Sequence, residues 1–294
     1  MVGKSEKRIR RLAHIVLICF SLMAVMPFIL LIIASFTEEK SALVNGFNFV
    51  PKELSIKAYA YMWKQKEMIF RAYGITVFTT VIGTFVGLMM TALLGYGLSK
   101  NIPGKRIANF YVVFTMLFSG GLVPTYLIYT KYLHIGNTIW ALIVPGLMLS
   151  AFNVMLMRNY FSNSIPESLL ESAKLDGASE FGIFRMIVLP LSKPIMATVG
   201  LMMALAYWNN WTNGLYFLDD ASLYSIQNVL TAINNNIIAL SSISSSGLAI
   251  DKSDIPMLTT RMAIAVIGIL PMLVIYPFFQ KYFVKGIMIG AVKG

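Results

Sequence analysis

The chain has 294 residues, of which 57% are hydrophobic and 13% are charged, and its mean hydropathy is +0.71. Soluble globular domains are usually about 45–50% apolar and about 25% charged. This composition therefore excludes a soluble enzyme, a disordered tail and a fibrous repeat. The net charge of +11 does not indicate a nucleic-acid partner, because basic residues collect in the cytoplasmic loops of membrane proteins. We predict an all-α integral membrane protein in contact with the lipid bilayer.

Six apolar stretches contain no Asp, Glu, Lys or Arg and are long enough to cross a bilayer, which takes roughly 20 residues. We predict that each forms one transmembrane helix. The six stretches are residues 12–36, 72–99, 107–130, 132–157, 194–218 and 262–280. The first is predicted to be an uncleaved helix, because its 25 residues exceed the roughly 7–15 of a signal peptide and no cleavage site follows.

A seventh stretch without charge, residues 221–250, is predicted to lie outside the membrane. Thirteen of its thirty residues are Ser, Thr, Asn or Gln, and each one buried in lipid without a partner would cost several kcal/mol. We predict one amphipathic helix here, over residues 223–240. Its apolar residues are spaced for one helical face: Ile226, Val229, Leu230, Ile233 and Ile237.

The distribution of basic residues predicts the orientation of the helices. With the amino terminus in the cytoplasm, the inner segments carry a net charge of +10 and the outer segments +1. Both termini are then cytoplasmic. The predicted organisation is a basic amino-terminal segment (1–11), a six-span domain (12–283) with an inner loop (159–190) and an outer loop (216–261), and a cytoplasmic tail (284–294).

The six stretches contain no ionisable Asp, Glu, Lys or Arg, which argues against an ion-coupled carrier. The chain also lacks the phosphate-binding loop Gly-x-x-x-x-Gly-Lys-Ser/Thr, so uphill transport would need energy from another polypeptide. One cysteine, Cys19, and two histidines exclude a Cys or His metal cluster, and we expect no cofactor. Two alternatives stay open: an intramembrane enzyme acting on lipid, and an ion-coupled carrier that works alone.

The inner loop contains a predicted helix–break–helix motif over residues 165–190. Ser164 and Glu167 are spaced as a capping box, with Pro166 in the first helical turn. Gly177 ends the helix, because glycine most easily adopts the left-handed conformation of a C-terminal cap. The second helix ends at Pro190.

The first of these helices, residues 166–176, has a partly apolar face that a soluble partner protein could bind. This predicted face is formed by Leu169, Leu170 and Ala173 together with Asp176 and Gly177.

The same loop resembles the signature of the permease subunits of ABC importers, which is Glu-Ala-Ala, three residues, Gly, nine residues, then Ile-x-Leu-Pro. Here Glu171, Ser172 and Ala173 precede Gly177 at that spacing, and residues 187–190 read Ile-Val-Leu-Pro. Ser172 in place of the middle Ala is the one departure. Residues 118–126, 176–178, 189–194 and 286–294 are similar to the carbohydrate-uptake branch, in particular to LplC-like permeases related to the maltose permease MalG.

This resemblance implies a type I importer permease with the MetI-like fold in the plasma (inner) membrane of a bacterium, carrying an oligo- or polysaccharide or, alternatively, a non-sugar solute. The implied partners are a second, LplB-like permease, an extracellular solute-binding protein, which the outer loop approaches, and two ABC ATPase subunits. The ATPases bind ATP and Mg, so this chain has no catalytic residue of its own. The residues implied to couple the permease to the ATPase are Glu167, Glu171, Ser172, Ala173, Asp176, Gly177, Ala178, Ile187, Leu189 and Pro190.

A run of aromatic and amide side chains in the fifth stretch suggests a sugar path, because sugars bind aromatic rings through their CH faces and amides through their hydroxyls. The candidates are Tyr207, Trp208, Asn209, Asn210, Trp211 and Asn213, together with Asn153 in the fourth stretch. The alternative is an interfacial aromatic belt with hydrogen bonds between helices.

In the second stretch, Gly83, Gly87, Thr91 and Gly95 share one helical face. Such a stripe of small residues indicates close helix packing, either within the chain or against a partner subunit.

Overall fold

A computed structural model of the chain describes residues 4–245 and 256–291, which are mostly helical. Contacts divide the chain into two compact units. One contains residues 1–67 and 230–272, and the other contains residues 68–229 and 273–294.

The first unit begins with α1 (Lys4–Ser35), whose apolar part confirms the first predicted helix. Two short helices follow, α2 (Glu39–Asn45) and α3 (Lys57–Trp63). The ring of Tyr59 in α3 stacks on Phe36 at 4.7 Å, and its hydroxyl lies 2.8 Å from the hydroxyl of Ser35. These contacts hold α3 against the end of α1.

A carboxylate in α2 caps a helix more than 200 residues away within this unit. Glu39 accepts hydrogen bonds from the backbone N–H groups of Leu258 and Thr259, at 2.7 and 2.9 Å, and from the Thr259 hydroxyl. These two residues lie in the first turn of the last helix, α15 (Met257–Ala291), where backbone N–H groups have no partner within the helix. Glu39 thus supplies both hydrogen bonds and a favourable negative charge.

The helix α4 (Lys66–Ser99) contains the second predicted stretch, and its stripe of small residues packs within the chain. A Cβ atom at Gly83 would overlap the ring of Tyr207, and one at Gly87 would overlap the backbone carbonyl of Met148. Gly95 lies against Met157. The first of the two interpretations, packing inside this chain, is therefore confirmed.

Three of the predicted helices are broken. The third predicted helix consists of α5 (Lys105–Leu117) and the segment Leu122–Tyr132, which meet at 114°. That segment comprises α6 (Leu122–Leu127) and a π-helical turn. The fourth, residues 132–157, forms only α7 (Trp140–Ile143) and the start of α8 (Ala151–Ser164). A continuous fourth helix is thus wrong, because Pro145 cannot donate a backbone hydrogen bond and Gly146 takes φ +70°.

The remaining helices of the second unit follow in chain order. They are α9 (Glu167–Leu175), α10 (Glu180–Ile183), a π-helical segment (Phe184–Val188), α11 (Leu189–Leu191), α12 (Lys193–Trp208) and α13 (Thr212–Phe217). The helical segment Glu180–Leu191 meets α12 at 83°. The predicted fifth helix is broken at residues 209–211, and we call this turn with the residues on either side of it, 207–213, the elbow. By length and composition, the described residues contain three uninterrupted helices able to cross a membrane, or five if each bent pair is one span.

The amphipathic helix of the outer loop is confirmed as α14 (Ile226–Ser245). All five apolar residues predicted for its inner face are buried. Residues 246–255 of the predicted outer loop and residues 292–294 of the predicted tail lie outside the described residues. The sixth predicted helix lies within α15.

Candidate functional site: the α9–α10 segment and the elbow

The α9–α10 segment, residues 165–191, contains the predicted helix–break–helix motif. Its first helix begins at Glu167, and Pro166 occupies the N-cap position with no side-chain cap. The predicted capping box is wrong, because Ser164 is the last residue of α8 and only two residues separate the two helices.

The break at Gly177 has the geometry predicted for it. Gly177 takes φ +80°, its N–H donates to the carbonyl of Lys174 at 3.0 Å, and the N–H of Ala178 donates to the carbonyl of Ala173 at 3.0 Å. This pair of bonds is the Schellman motif, which satisfies carbonyls left free at a helix end. The next helix starts at once, because the Ser179 hydroxyl accepts a hydrogen bond from the N–H of Gly182 at 3.1 Å.

An ion pair across the break joins the two helices. Glu180 lies 2.6 Å from Lys174 and accepts a hydrogen bond from the hydroxyl of Tyr96 in α4 at 3.0 Å. The amine of Lys100 lies 4.0 Å from the same carboxylate and 4.7 Å from the centre of the Tyr96 ring. The hydrogen bond from Lys174 holds the pKa of Glu180 below its ordinary value, whereas partial burial lowers the pKa of Lys100.

Sequence reasoning missed Glu180. The sequence feature that could have indicated Glu180 is its place as an acidic residue in the first helical turn, directly after the N-cap Ser179.

The apolar residues of the α9–α10 segment divide into an inward and an outward set. Leu170, Ala173, Ala178, Ile187 and Leu189 pack on a buried cluster that includes Tyr96, Phe161, Phe184 and Val199. The predicted outward face was therefore wrong for Leu170 and Ala173. The outward set is Leu175, which is 89% exposed, Phe181, which is 66% exposed, Met186 and Leu169. Leu175, Phe181 and Met186 were missed, since they flank the break and do not share one helical face.

The polar residues of the motif that resembles the ABC importer permease signature lie at the surface of α9. Glu167 and Glu171 line an open cavity of about 700 Å³, together with Lys100, Lys105 and Lys174. Ser172 donates a hydrogen bond to the carbonyl of Ser168 at 2.9 Å, so its hydroxyl is satisfied within the helix. Asp176, the C-cap residue of α9, and Pro190 in α11 are exposed.

The elbow places the fifth-stretch candidates in two environments. Tyr207 and Trp208 are buried, and the Tyr207 hydroxyl donates to the carbonyl of Ile143 at 2.9 Å. Trp208 is 3% exposed, and its indole Nε1–H has no hydrogen-bond partner among the described residues. A buried donor without a partner costs about 1–3 kcal/mol, so a hydrogen-bond acceptor that reached this N–H would be favourable.

The asparagines of the elbow have structural hydrogen bonds. Asn209 is exposed, and its amide donates to the carbonyl of Leu205 at 3.0 Å. Asn210 accepts a hydrogen bond from the N–H of Asn213 at 3.1 Å, and the Asn213 amide donates to the carbonyl of Pro145 at 2.9 Å. Trp211 is exposed, and Asn153 is buried in α8. The structure thus brings Tyr207 and Asn213 together on residues 143–145, at the end of α7.

Residues 2–289 match the family of binding-protein-dependent transport system inner membrane components. The chain belongs to this family. Over 285 residues it is 41% identical to the polygalacturonan/rhamnogalacturonan transport system permease protein YtcP of Bacillus subtilis (strain 168), covering 95% of this chain and 96% of that protein. It is 38% identical to the protein LplC of the same organism over 92% of this chain and 90% of that protein.

A solved structure supports the same assignment. A crystal structure of a bacterial ABC transporter involved in the import of the acidic polysaccharide alginate contains a similar chain, with a TM-score of 0.78 and 29% sequence identity. The similarity covers 96% of this chain and 99% of that chain. These findings confirm the ABC importer resemblance, the MetI-like permease fold and the membrane location. The chain is a transport component, which removes the intramembrane enzyme as an alternative.

Proposed function

We propose that this chain is one of two permease subunits of an ATP-driven importer of an oligo- or polysaccharide. The observation that carries the proposal is its 41% identity, over 95% of its length, to a permease named for polygalacturonan and rhamnogalacturonan. The similar chain of the alginate importer adds a second polysaccharide transporter with the same fold. The other subunits are an LplB-like permease, two ATPases that bind ATP and Mg, and an extracellular solute-binding protein.

The proposed topology has six crossings with both termini in the cytoplasm. The basic residues of the inner segments support this orientation, since they would face the cytoplasm. The helices α1, α4 and α15 supply three crossings, and the two bent pairs supply two more. We assign the remaining crossing to α7, α8 and the turn that connects them. The irregular backbone of this turn is tolerated at membrane depth only where it is buried in protein or lines a polar cavity.

The α9–α10 segment is the proposed contact with the ATPase. Its exposed apolar residues Leu175 and Phe181 offer area that a soluble partner would bury. The aromatic cluster beneath it connects the segment to the spans, because the ring of Tyr96 in α4 lies 5.3 Å from that of Phe184 and 6.3 Å from that of Phe161 in α8. A displacement of the segment by the ATPase would therefore move α4 and α8 as well.

The elbow is the proposed place where the sugar contacts this chain. Trp208 supplies an indole N–H that has no partner in the described part of the chain, and Asn209 and Trp211 are exposed next to it in the sequence. An N–H donor with amide and aromatic groups beside it is suited to sugar hydroxyls and CH faces.

The test is reconstitution of the complete importer in lipid vesicles with its binding protein. Uptake and ATP hydrolysis would be measured with oligogalacturonides, alginate oligosaccharides and malto-oligosaccharides. We expect one of these sugars to stimulate ATP hydrolysis through the binding protein and to enter the vesicles only when ATP is present. Uptake that continues without ATP and stops when a protonophore is added would contradict the proposal.

A further inference from the structure

A buried polar cluster joins the amino end of α14 to α4 and to the elbow. Its side chains are Thr76 of α4, Ser225 just before α14, and Asn228 in the first turn of α14. Thr76 and Ser225 are buried, and Asn228 is 7% exposed. We call these residues, with the backbone of Ile226 and Trp211, the Asn228 cluster.

Every side-chain polar atom of the cluster has a partner. Asn228 Nδ2 donates to the carbonyl of Trp211 at 2.7 Å, and Asn228 Oδ1 accepts from the hydroxyl of Ser225 at 2.6 Å. The N–H of Ile226 donates to Thr76 Oγ1 at 2.8 Å. A buried network in which all groups are satisfied favours one geometry, because any displacement leaves a group without its partner.

The packing around Asn228 is as restrictive as its hydrogen bonds. Gly214 lies in α13, the helix that follows the elbow, and a Cβ atom there would overlap the amide of Asn228. No substitution at Gly214 therefore fits unless Asn228 moves. Asn228 thus contacts the carbonyl of Trp211 and, at Gly214, the helix α13 that follows it.

The other side of the elbow is held independently. Tyr207 and Asn213 donate to the carbonyls of Ile143 and Pro145. The elbow is therefore held between α14 and residues 143–145. It carries the exposed side chains of Asn209 and Trp211. A displacement of the amino end of α14 must either move the elbow or break the hydrogen bonds of Asn228.

We propose that Asn228 is a positioning residue that transmits movement of the outer helix α14 to the sugar-contacting elbow. Engagement of the outer loop by the loaded binding protein then changes the position of Asn209 and Trp211 through the Trp211 carbonyl. Asn228 itself does not contact the sugar, since it is buried and its amide is already bonded at both atoms. This proposal rests on the proposed function.

The first test is Asn228→Asp, which keeps the size of the side chain but places an oxygen against the Trp211 carbonyl. The measurement is the ratio of ATP hydrolysis with and without the loaded binding protein, in the complete importer. We expect this ratio to fall by about tenfold, which corresponds to roughly 1.4 kcal/mol and lies within the cost of an unsatisfied buried group. Asn48→Asp makes the same chemical change at an exposed position and should keep the ratio.

A second variant keeps the test decisive if Asn228→Asp does not assemble. Gly214→Ala retains every hydrogen-bonding group and acts only through the overlap with Asn228, and it should lower the same ratio.

A labelling experiment separates positioning from a purely structural role. In a Cys19→Ser background, Thr212→Cys at the start of α13 would be labelled with a membrane-impermeant maleimide. We expect the loaded binding protein with ATP to change the labelling rate several-fold, and Asn228→Asp to remove that change.

The results have distinct meanings. If both variants assemble and stimulation of ATP hydrolysis by the loaded binding protein is as large as in the unsubstituted importer, the proposed role of Asn228 is overturned. It is also overturned if the labelling response of Thr212→Cys is unaltered by Asn228→Asp. An unsubstituted importer that the binding protein does not stimulate contradicts the proposed function itself, whatever Asn228 does.

Discussion

The chain interrupts its helices in two different ways. At Gly177 the break is closed by backbone hydrogen bonds between residues at most five positions apart. At the elbow the chain is held by hydrogen bonds to distant parts of the sequence. The Asn228 amide donates to the carbonyl of Trp211, and the Asn213 amide donates to the carbonyl of Pro145. The first break is self-contained and leaves an exposed apolar surface for a partner. The second depends on its surroundings, so movement elsewhere in the chain reaches it.

The largest effect is expected from breaking the local closure with Gly177→Val. A β-branched residue at φ +80° is strained by about 1–2 kcal/mol, and relief of this strain would open both bonds of the Schellman motif. We expect the importer to assemble and to hydrolyse ATP without uptake, as measured in vesicles. Gly74→Val, at an open helical position, is the matched control. Normal uptake by the Gly177 variant would show that this break does not transmit force.

At the elbow, Trp208→Ala is expected to weaken uptake by the loss of a ring contact worth roughly 1–3 kcal/mol. Trp208→Phe sharpens the comparison, because it retains a six-membered aromatic ring and removes the indole N–H that has no partner among the described residues. We expect the Phe variant to keep its thermal stability and to lose sugar affinity, measured by uptake at limiting sugar. If only membrane insertion changes in the Ala variant, the interfacial-belt interpretation is correct.

A smaller effect is expected from Tyr207→Phe, which removes one distant hydrogen bond from the elbow. The carbonyl of Ile143 loses its partner, at a cost of about 0.5–1.5 kcal/mol. The thermal unfolding temperature of the detergent-solubilised protein should fall by a few degrees. Tyr216→Phe, at an exposed position, is the control and should leave it unchanged.

The smallest effect is expected from Glu180→Gln, which removes the ion pair across the Gly177 break. Because Glu180 is more than half exposed, solvent screening limits the loss to about 0.2–1 kcal/mol. The folded-state pKa of Glu180 is lowered, so its contribution is present above the ordinary pKa of a glutamate. That contribution disappears as the pH falls through the lowered pKa. Unfolding measured across the acidic range should show a smaller pH dependence in the variant, and an unchanged profile would exclude this role.

The sequence predicted α14 and the Gly177 break closely because both follow from local rules. The apolar residues from Ile226 to Ile237 recur at the helical period, and all five are buried as expected. Gly177 needed no distant partner to take its left-handed conformation. The capping box failed for a reason that spacing does not show, since Ser164 had already been incorporated in α8.

The outward face of α9 could not be predicted from its sequence. Leu170 and Ala173 turn inward because the buried cluster around Tyr96 and Phe161 lies on that side. This cluster comes from α4, α8, α12 and the helical segment after the break. Leu175 and Phe181 remain outside, on either side of the break.

Composition, charge distribution and one spaced motif were thus enough to determine a membrane permease and the position of the Gly177 break, which we propose contacts the ATPase. The reason is that hydropathy and turn chemistry depend on residues close in the chain. The tertiary structure alone decided which helices are broken, what Gly83 and Gly87 pack against, and which side chains hold the elbow. The physical reason is that a buried amide or carbonyl must find a partner wherever the fold provides one. For Asn213 and Asn228 those partners are the carbonyls of Pro145 and Trp211, 68 and 17 residues away.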